Sequence, residues 1–575
     1  MRTPRLTGPS SHGTTHARTT GLLLLAVLSI VTALAVARGQ AAGDPAVVAA
    51  ARDGDLQTVR ALLARRVNVN EPARDGSTAL LWAAYHANLD MAKALIAAGA
   101  NANIANRYGI SPLLQAARSG DAGLVGALLK AGATLTVTHP DGETALMAAS
   151  RAGRADAVKL LLEAGAAVNA ADTWQEETAL MWAAAEGHLD VVDTLLKAGA
   201  DPNRRAHITT QQERKHADHP TGGFTALMFA VRNGHEAVAR ALIAGGADPK
   251  LTNGDDITAT IVAIVNDRFD LAKTLIDLGA DPNDGSLYFA VDMHDATIDM
   301  RARDGSRLRA DHPNKLTSMD LIKLLLDRGA DPNKAFVGQL HNYTLCCSDE
   351  INASPFYRAA IASDVDVLKL LLAKGAKVEW TPSEVKKEAA GGGGGGAGRG
   401  MNANVGKTPV MMTMVGGRGA PFGGGPGFER LTAPPWREPG NRDALEATKI
   451  LLAAGANPNV KAPDGSTPLH QAVQARQVAI IRALVAGGAK LDATNKDNLT
   501  PLLLAEKPEN NKDNQAANTD PNRYQPHRDS REDVIAALRE LMGLGPNDPA
   551  PVPPPDPTKT NDKKDDKKDD DAGAQ

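Results

Sequence analysis

The side chains best suited to chemistry cluster near position 210: His207, His216, Asp218 and His219. Imidazole nitrogens and carboxylate oxygens are ligands for zinc or copper. An insert bearing them, residues 207–219, would suit a metal- or redox-linked accessory protein of the cell envelope. The spacing lacks the paired ligand sets of a structural zinc site, and a polar inserted loop carries such residues without any ion. Residues 400–408, GMNANVGKT, have the look of a phosphate loop. Five residues separate Gly400 from Gly406 where that loop needs four, and a glycine tract precedes it where a strand belongs. Gly406 and Thr408 are explained more simply as a turn glycine and a helix cap. Cys346 and Cys347 are adjacent, which is neither a disulfide framework nor a metal spacing. An oxidising compartment would allow a vicinal or interchain disulfide, and an unpaired loop pair is the plainer reading. Two glycosylation sequons, at Asn342 and Asn352, are short enough to recur by chance. No nucleophile elbow, HExxH or paired-acid constellation is present. The expectation is no catalytic residue, no cofactor and no bound metal.

The elements that must position any of these residues come from a repeated unit. Its cleanest copy, residues 141–169, reads DGETALMAASRAGRADAVKLLLEAGAAVN. Gly142 suits a turn requiring positive φ. Thr144 offers an oxygen to the unpaired N–H groups opening a first helix. In other copies proline follows the cap residue (Pro112, Pro355, Pro409, Pro468, Pro501), where its missing N–H is not needed. Val158, Leu161 and Leu162 are expected to carry the buried face of a second helix, and Gly165 to close it in a left-handed conformation. His188, His235 and His470 are expected to satisfy nearby backbone groups. One such turn–helix–helix unit cannot bury its apolar face alone.

The cap residue recurs at Thr78, Ser111, Thr144 and Thr178, in steps of 33, 33 and 34, and Gly99, Gly132, Gly165 and Gly199 recur with it. With T-[PA]-L-x-x-A and L-L-x-x-G-A at this period, the chain resembles ankyrin-repeat proteins over roughly residues 46 to 541. The fullest single match is Gly465-Ser466-Thr467-Pro468-Leu469-His470-Gln471-Ala472. The implied fold is an all-α repeat: a solenoid of about twelve helix-turn-helix units with β-turn fingers. The first copy, from position 46, is a cap with Arg66 in the glycine slot, and Glu176 fills the turn-glycine slot of the fifth.

Residues 1–42 read as a signal peptide and short linker. Arginines precede an apolar run at 22–37, and Ala35-Val36-Ala37 offers a cleavage site. At 16 residues the run is shorter than the ~20 that span a bilayer, so an uncleaved anchor is the alternative, and the only membrane attachment foreseen. The solenoid is expected at 43–545, with inserts at 204–221, 295–316, 334–353, 381–405, 416–440 and 506–530. Each insert falls in a finger or between paired helices, so stacking survives it. A Pro-rich, Lys/Asp-rich tail, 546–575, is expected to be disordered. The inserted later repeats resemble those of exported bacterial ankyrin proteins, which implies a periplasmic or secreted location.

Formal net charge is -4, which favours neither nucleic acid nor an acidic partner, and aromatics are 3% of residues, too few for a base-stacking platform. The resemblance implies a protein-binding module. Register names the expected contact stripe: finger residues just before the cap, and the pair seven and eight positions after it. These are Tyr85 and His86; Arg107, Tyr108 and Ile110; Glu143 and Arg151; Trp174, Glu177 and Glu186; Phe224, Arg232 and Asn233. Trp174 and Phe224, both finger residues, are the expected aromatic anchors.

Overall fold

The computed structural model describes residues 44–136, 139–209, 221–295, 313–339, 350–382, 406–414, 442–507 and 528–554. The signal segment, at least half of each insert, Cys346 and Cys347, and the charged end of the tail lie outside them. The described residues form 24 helices in twelve consecutive pairs. Two compact units divide at residue 166.

The first unit holds four pairs: α1 (Ala46–Arg52) with α2 (Leu56–Ala64), α3 (Ala79–Tyr85) with α4 (Leu89–Ala97), α5 (Pro112–Ser119) with α6 (Ala122–Lys130), and α7 (Ala145–Arg151) with α8 (Ala155–Glu163). Six of its eight helices start at a side-chain cap, α1 and α8 being the exceptions. Thr78, Ser111 and Thr144 accept from the N–H groups of Leu81, Leu114 and Met147. Asp55, Asn88 and Asp121 do the same for α2, α4 and α6, leaving one fewer unpaired donor at each end. Small residues let the first helices stack closely: Ala83, Ala84, Ala116, Ala117 and Ala149 are fully buried. Leu161 of α8 is fully buried too, whereas Leu162 is only partly covered, because it sits one step round the helix from the Ala157, Val158 and Leu161 stripe. Gly165 takes φ +90 one place beyond the cap residue Ala164. Arg66, where the motif wants glycine, adopts the same left-handed conformation at φ 60, a strained choice for a side chain with a Cβ.

The second unit continues with α9 (Ala179–Glu186), α10 (Leu189–Lys197), α11 (Ala226–Asn233), α12 (Glu236–Ala244), α13 (Ala259–Val265), α14 (Phe269–Asp277), α15 (Ser286–Asp295) and α16 (Ser318–Asp327). It ends with α17 (Pro355–Ala362), α18 (Val365–Ala373), α19 (Pro409–Met412), α20 (Ala444–Ala453), α21 (Pro468–Ala475), α22 (Val478–Ala486), α23 (Pro501–Glu506) and α24 (Arg531–Met542). Two fingers lengthen into antiparallel hairpins. In one, β1 (Ile208–Thr209) pairs with β2 (Thr221–Gly222); in the other, β3 (Phe336–Gln339) pairs with β4 (Glu350–Ala353). Glu176, in its turn slot, takes φ 54.

Asparagine side chains bind repeat to repeat. Asn70 accepts from the Asn101 N–H at 2.7 Å and donates to the Gly99 carbonyl at 3.0 Å. The same two bonds recur from Asn103, Asn169, Asn203, Asn283, Asn333 and Asn459. At the equivalent position the sixth repeat holds Lys250, whose ammonium has no acceptor with which to complete the rung. His470 is the one motif histidine at its position. Its Nδ1 meets Thr467 and its Nε2 meets the Leu499 carbonyl at 3.0 Å, and burial lowers its pKa below the ordinary imidazole value.

Candidate functional site

Two helix positions and the finger tips are left to face outward once caps and stacking are satisfied. Counted from the cap, these are the seventh residue of the first helix and, in some repeats, the fourth: Trp82 and Trp182 are partly exposed there, whereas Ala148 and Phe229 are buried. In the first unit the seventh position holds Arg52, Tyr85, Arg118 and Arg151 in successive repeats. Tyr85 is 60% exposed and meets Trp82, at the fourth position, edge to face at 5.4 Å. His86 is exposed and its Nε2 lies 2.7 Å from the Arg52 carbonyl, so it links the first two repeats as well as edging the patch. On the neighbouring finger Arg107 is exposed and Tyr108 is 63% exposed. Asn106 holds that tip by accepting from the Tyr108 and Ile110 N–H groups. Ile110 is half-buried.

Glu143 departs from expectation. It is 8% exposed and pairs with Arg118 of the preceding repeat. The short cap-side finger tucks its carboxylate beneath the guanidinium, so Arg118 covers the position that was assigned to Glu143. Arg118 was missed although it stands at the same seventh position as Arg151, which is exposed.

In the second unit the fifth and sixth repeats form a separate cluster. Trp174 is 76% exposed at its finger tip, while Asp172 accepts from the Trp174 and Gln175 N–H groups and fixes the turn. Glu177 is half-buried. Burial, then the nearby Asp172 charge, raises its pKa, against Arg232 and a hydrogen bond from Trp182. Phe224 is half-buried and not a free ring. It lies against Phe229 at 5.5 Å, and the Arg232 guanidinium sits over both rings at 5.4 and 5.1 Å. Such stacking holds Arg232 in place while its outer face stays exposed. Glu186 is exposed, and Asn233, also exposed, donates to the Ala185 carbonyl at 2.6 Å. His235 reaches the same carbonyl at 3.1 Å. Trp82, Trp182 and Phe229, all at the fourth position, were not foreseen; the same register would have found them.

His207 lies 3.5 Å from Glu176; His216, Asp218 and His219 are outside the described residues. Among the described residues no group of three or more His, Cys, Asp or Glu is placed to hold a metal ion, and no helix is long and apolar enough to cross a membrane. Gly406, at φ 71, turns the chain into α19 and Thr408 precedes its first residue.

The sequence matches a family pattern described as "Ankyrin repeats (3 copies)", over residues 27–106, 46–139, 113–206, 208–286 and 440–513, more than half of the chain. The chain belongs to the ankyrin-repeat family. Within that family, it is similar to human protein fem-1 homolog A, at 44% identity over 69 residues, which are 12% of this chain and 10% of that protein. A rat protein of the same name is 43% identical over 61 residues, 11% of this chain and 9% of its own length. The match thus spans about a tenth of these relatives. Among solved structures, the human ASB11 ankyrin repeat domain aligns with 41% of this chain and 98% of its own, at 24% identity and a TM-score of 0.34.

Proposed function

We propose that this ankyrin-repeat chain is a non-catalytic scaffold that binds one or more proteins through its first helices and finger tips, and that it does so outside the cytoplasm. The carrying observation is the exposure of large side chains that the fold does not need. Trp174, Tyr85 and Tyr108 are each more than half exposed, although caps, alanine stacking and asparagine rungs already hold their repeats. Exposed aromatics on rigid supports are the commonest anchors of protein interfaces. The extracytoplasmic part rests on the sequence of residues 1–42: a basic start, a short apolar run and a small-residue cleavage site. Cleavage near Ala37 is checked by mass spectrometry of the mature N-terminus, and an intact start on envelope-bound protein would leave the anchor in its place.

The binding reading is tested by separating the two aromatics. Trp174→Ala should leave unfolding within about 0.5 kcal/mol of the parent chain while abolishing recovery of co-purifying protein. Phe224→Ala should lower stability, since its ring carries Phe229 and Arg232. Full recovery of partners by Trp174→Ala would move the anchor elsewhere.

A further inference from the structure

The first helices of the first unit carry a charge pattern that the whole chain does not. Formal net charge is -4 overall. Yet these helices, AVVAAAR, ALLWAAY, PLLQAARS and ALMAASR, contain three arginines and no acidic residue. All three arginines stand at the seventh position after the cap, with Tyr85 completing the column: Arg52, Tyr85, Arg118, Arg151. Helix packing does not ask for this, since the buried stripes of these helices are filled mainly by alanine, valine, leucine and methionine.

Arg52 lies 2.6 Å from Asp44 and 3.9 Å from Asp53, Arg118 pairs with Glu143, and Arg151 is likewise engaged within the chain. A guanidinium has five N–H donors in a planar fork, so one carboxylate does not exhaust it. Pairs exposed as Arg52 is are also worth little and exchange readily with a second acid. On the fingers Arg107 adds a cation and Tyr108 an exposed ring. Asp75 is already used by the Ser77 N–H and hydroxyl, and Asp141 lies 3.1 Å from His139.

We infer that this face of the first unit, Arg52–Tyr85–Arg118–Arg151 with Arg107 and Tyr108, takes an extended acidic peptide of another protein; the inference rests on the scaffold reading and names its partner chemistry. Spacing supports it. Packed helices lie about 8–10 Å apart, and a peptide extended as a polyproline-II helix advances about 3.1 Å per residue with three residues per turn, so every third side chain points the same way. Every third peptide residue therefore meets the next repeat. The peptide carries Asp or Glu opposite each arginine and an apolar residue opposite Tyr85. A nucleic acid fits less well, because Asp75 and Asp141 interrupt the finger row and would repel a continuous phosphate chain.

The test uses the full chain and fluorescein-labelled decapeptides, with Glu at the first, seventh and tenth positions and Leu at the fourth, in both chain directions. Anisotropy should report binding that weakens as salt rises from about 50 to about 300 mM. Arg107→Ala with Arg151→Ala should weaken it about tenfold without changing the melting temperature. Arg151→Glu should lose the Glu peptide and gain one whose tenth residue is Lys. Equal binding of Lys- and Glu-bearing peptides, or no effect of the arginine variants, overturns the inference. So does tight binding of a single-stranded RNA oligomer in the absence of peptide binding. Protein recovery that is lost in Trp174→Ala but survives the arginine variants would keep the scaffold reading and discard this one.

Discussion

Repeats two to four and repeats eight to ten follow one plan and use the same register positions in opposite ways. In the third repeat the seventh position holds Arg118, which reaches across the surface to Glu143. In the eighth it holds Asp292, which lies 2.5 Å from Arg358, the fourth-position residue of the ninth, whose side chain is 4% exposed. Close by, His294 and Asp364 meet at 2.7 Å, with side chains 3% and 2% exposed. The Asp364 side chain also caps α18, and its backbone forms an isolated antiparallel β-bridge with that of Arg442. The apolar filling differs in step. Alanines separate the early first helices, whereas Tyr288, Phe289, Phe356 and Tyr357 are buried in the later ones, with Phe336 of the long hairpin stacked on Tyr288. Polar groups that face outward early are enclosed late. Removal of one partner then leaves an uncompensated buried charge, a larger penalty than losing a surface pair. The outward positions of the early repeats are therefore less tied to the interior than the same positions of the late repeats.

The largest effect expected from this contrast is at Asp364. Asp364→Ala removes both the hydrogen-bond partner of His294 and the cap of α18, and should cost roughly 2–5 kcal/mol. Urea unfolding with hydrogen exchange should place the loss in repeats eight to ten; a cost below about 1 kcal/mol would mean the enclosed pair behaves like a surface one. Leu161→Ala, in the early region, should cost roughly 2–5 kcal/mol through the cavity it leaves, with exchange rising in the adjacent repeats. The smallest change adds a bond. Lys250→Asn supplies the acceptor missing from the ladder opposite Asp281, with an amide donor in reach of the Gly279 carbonyl, and should raise stability by about 0.5–1.5 kcal/mol. No gain in the urea midpoint would show that rungs register the repeats without stabilising them.

Much of the fold was legible in the sequence. Thr78, Ser111, Thr144 and Thr178 are caps because their type and their 33-residue period leave them no other common role, and each accepts the expected N–H. The helix-ending glycines are equally readable, since positive φ favours a residue without Cβ. Side-chain reach was harder. Glu143 and Arg151 both occupy positions that register calls outward, yet Glu143 is covered by an arginine 25 residues earlier. Phe224 precedes its cap just as Glu143 does, but packs beneath Arg232. Such pairings depend on which residue the next repeat presents, and no local pattern states that.

The sequence by itself determined the repeat, its period, its caps and the positions that the helical period turns outward, because all of these follow from backbone geometry within about 33 residues. Only the tertiary structure decided which outward positions stay open. Arg118 over Glu143, Arg232 over Phe224 and Phe229, and the enclosure of His294 with Asp364 each join residues from different segments of the chain. Exposure is a property of what lies across the gap between repeats, and that is fixed by packing.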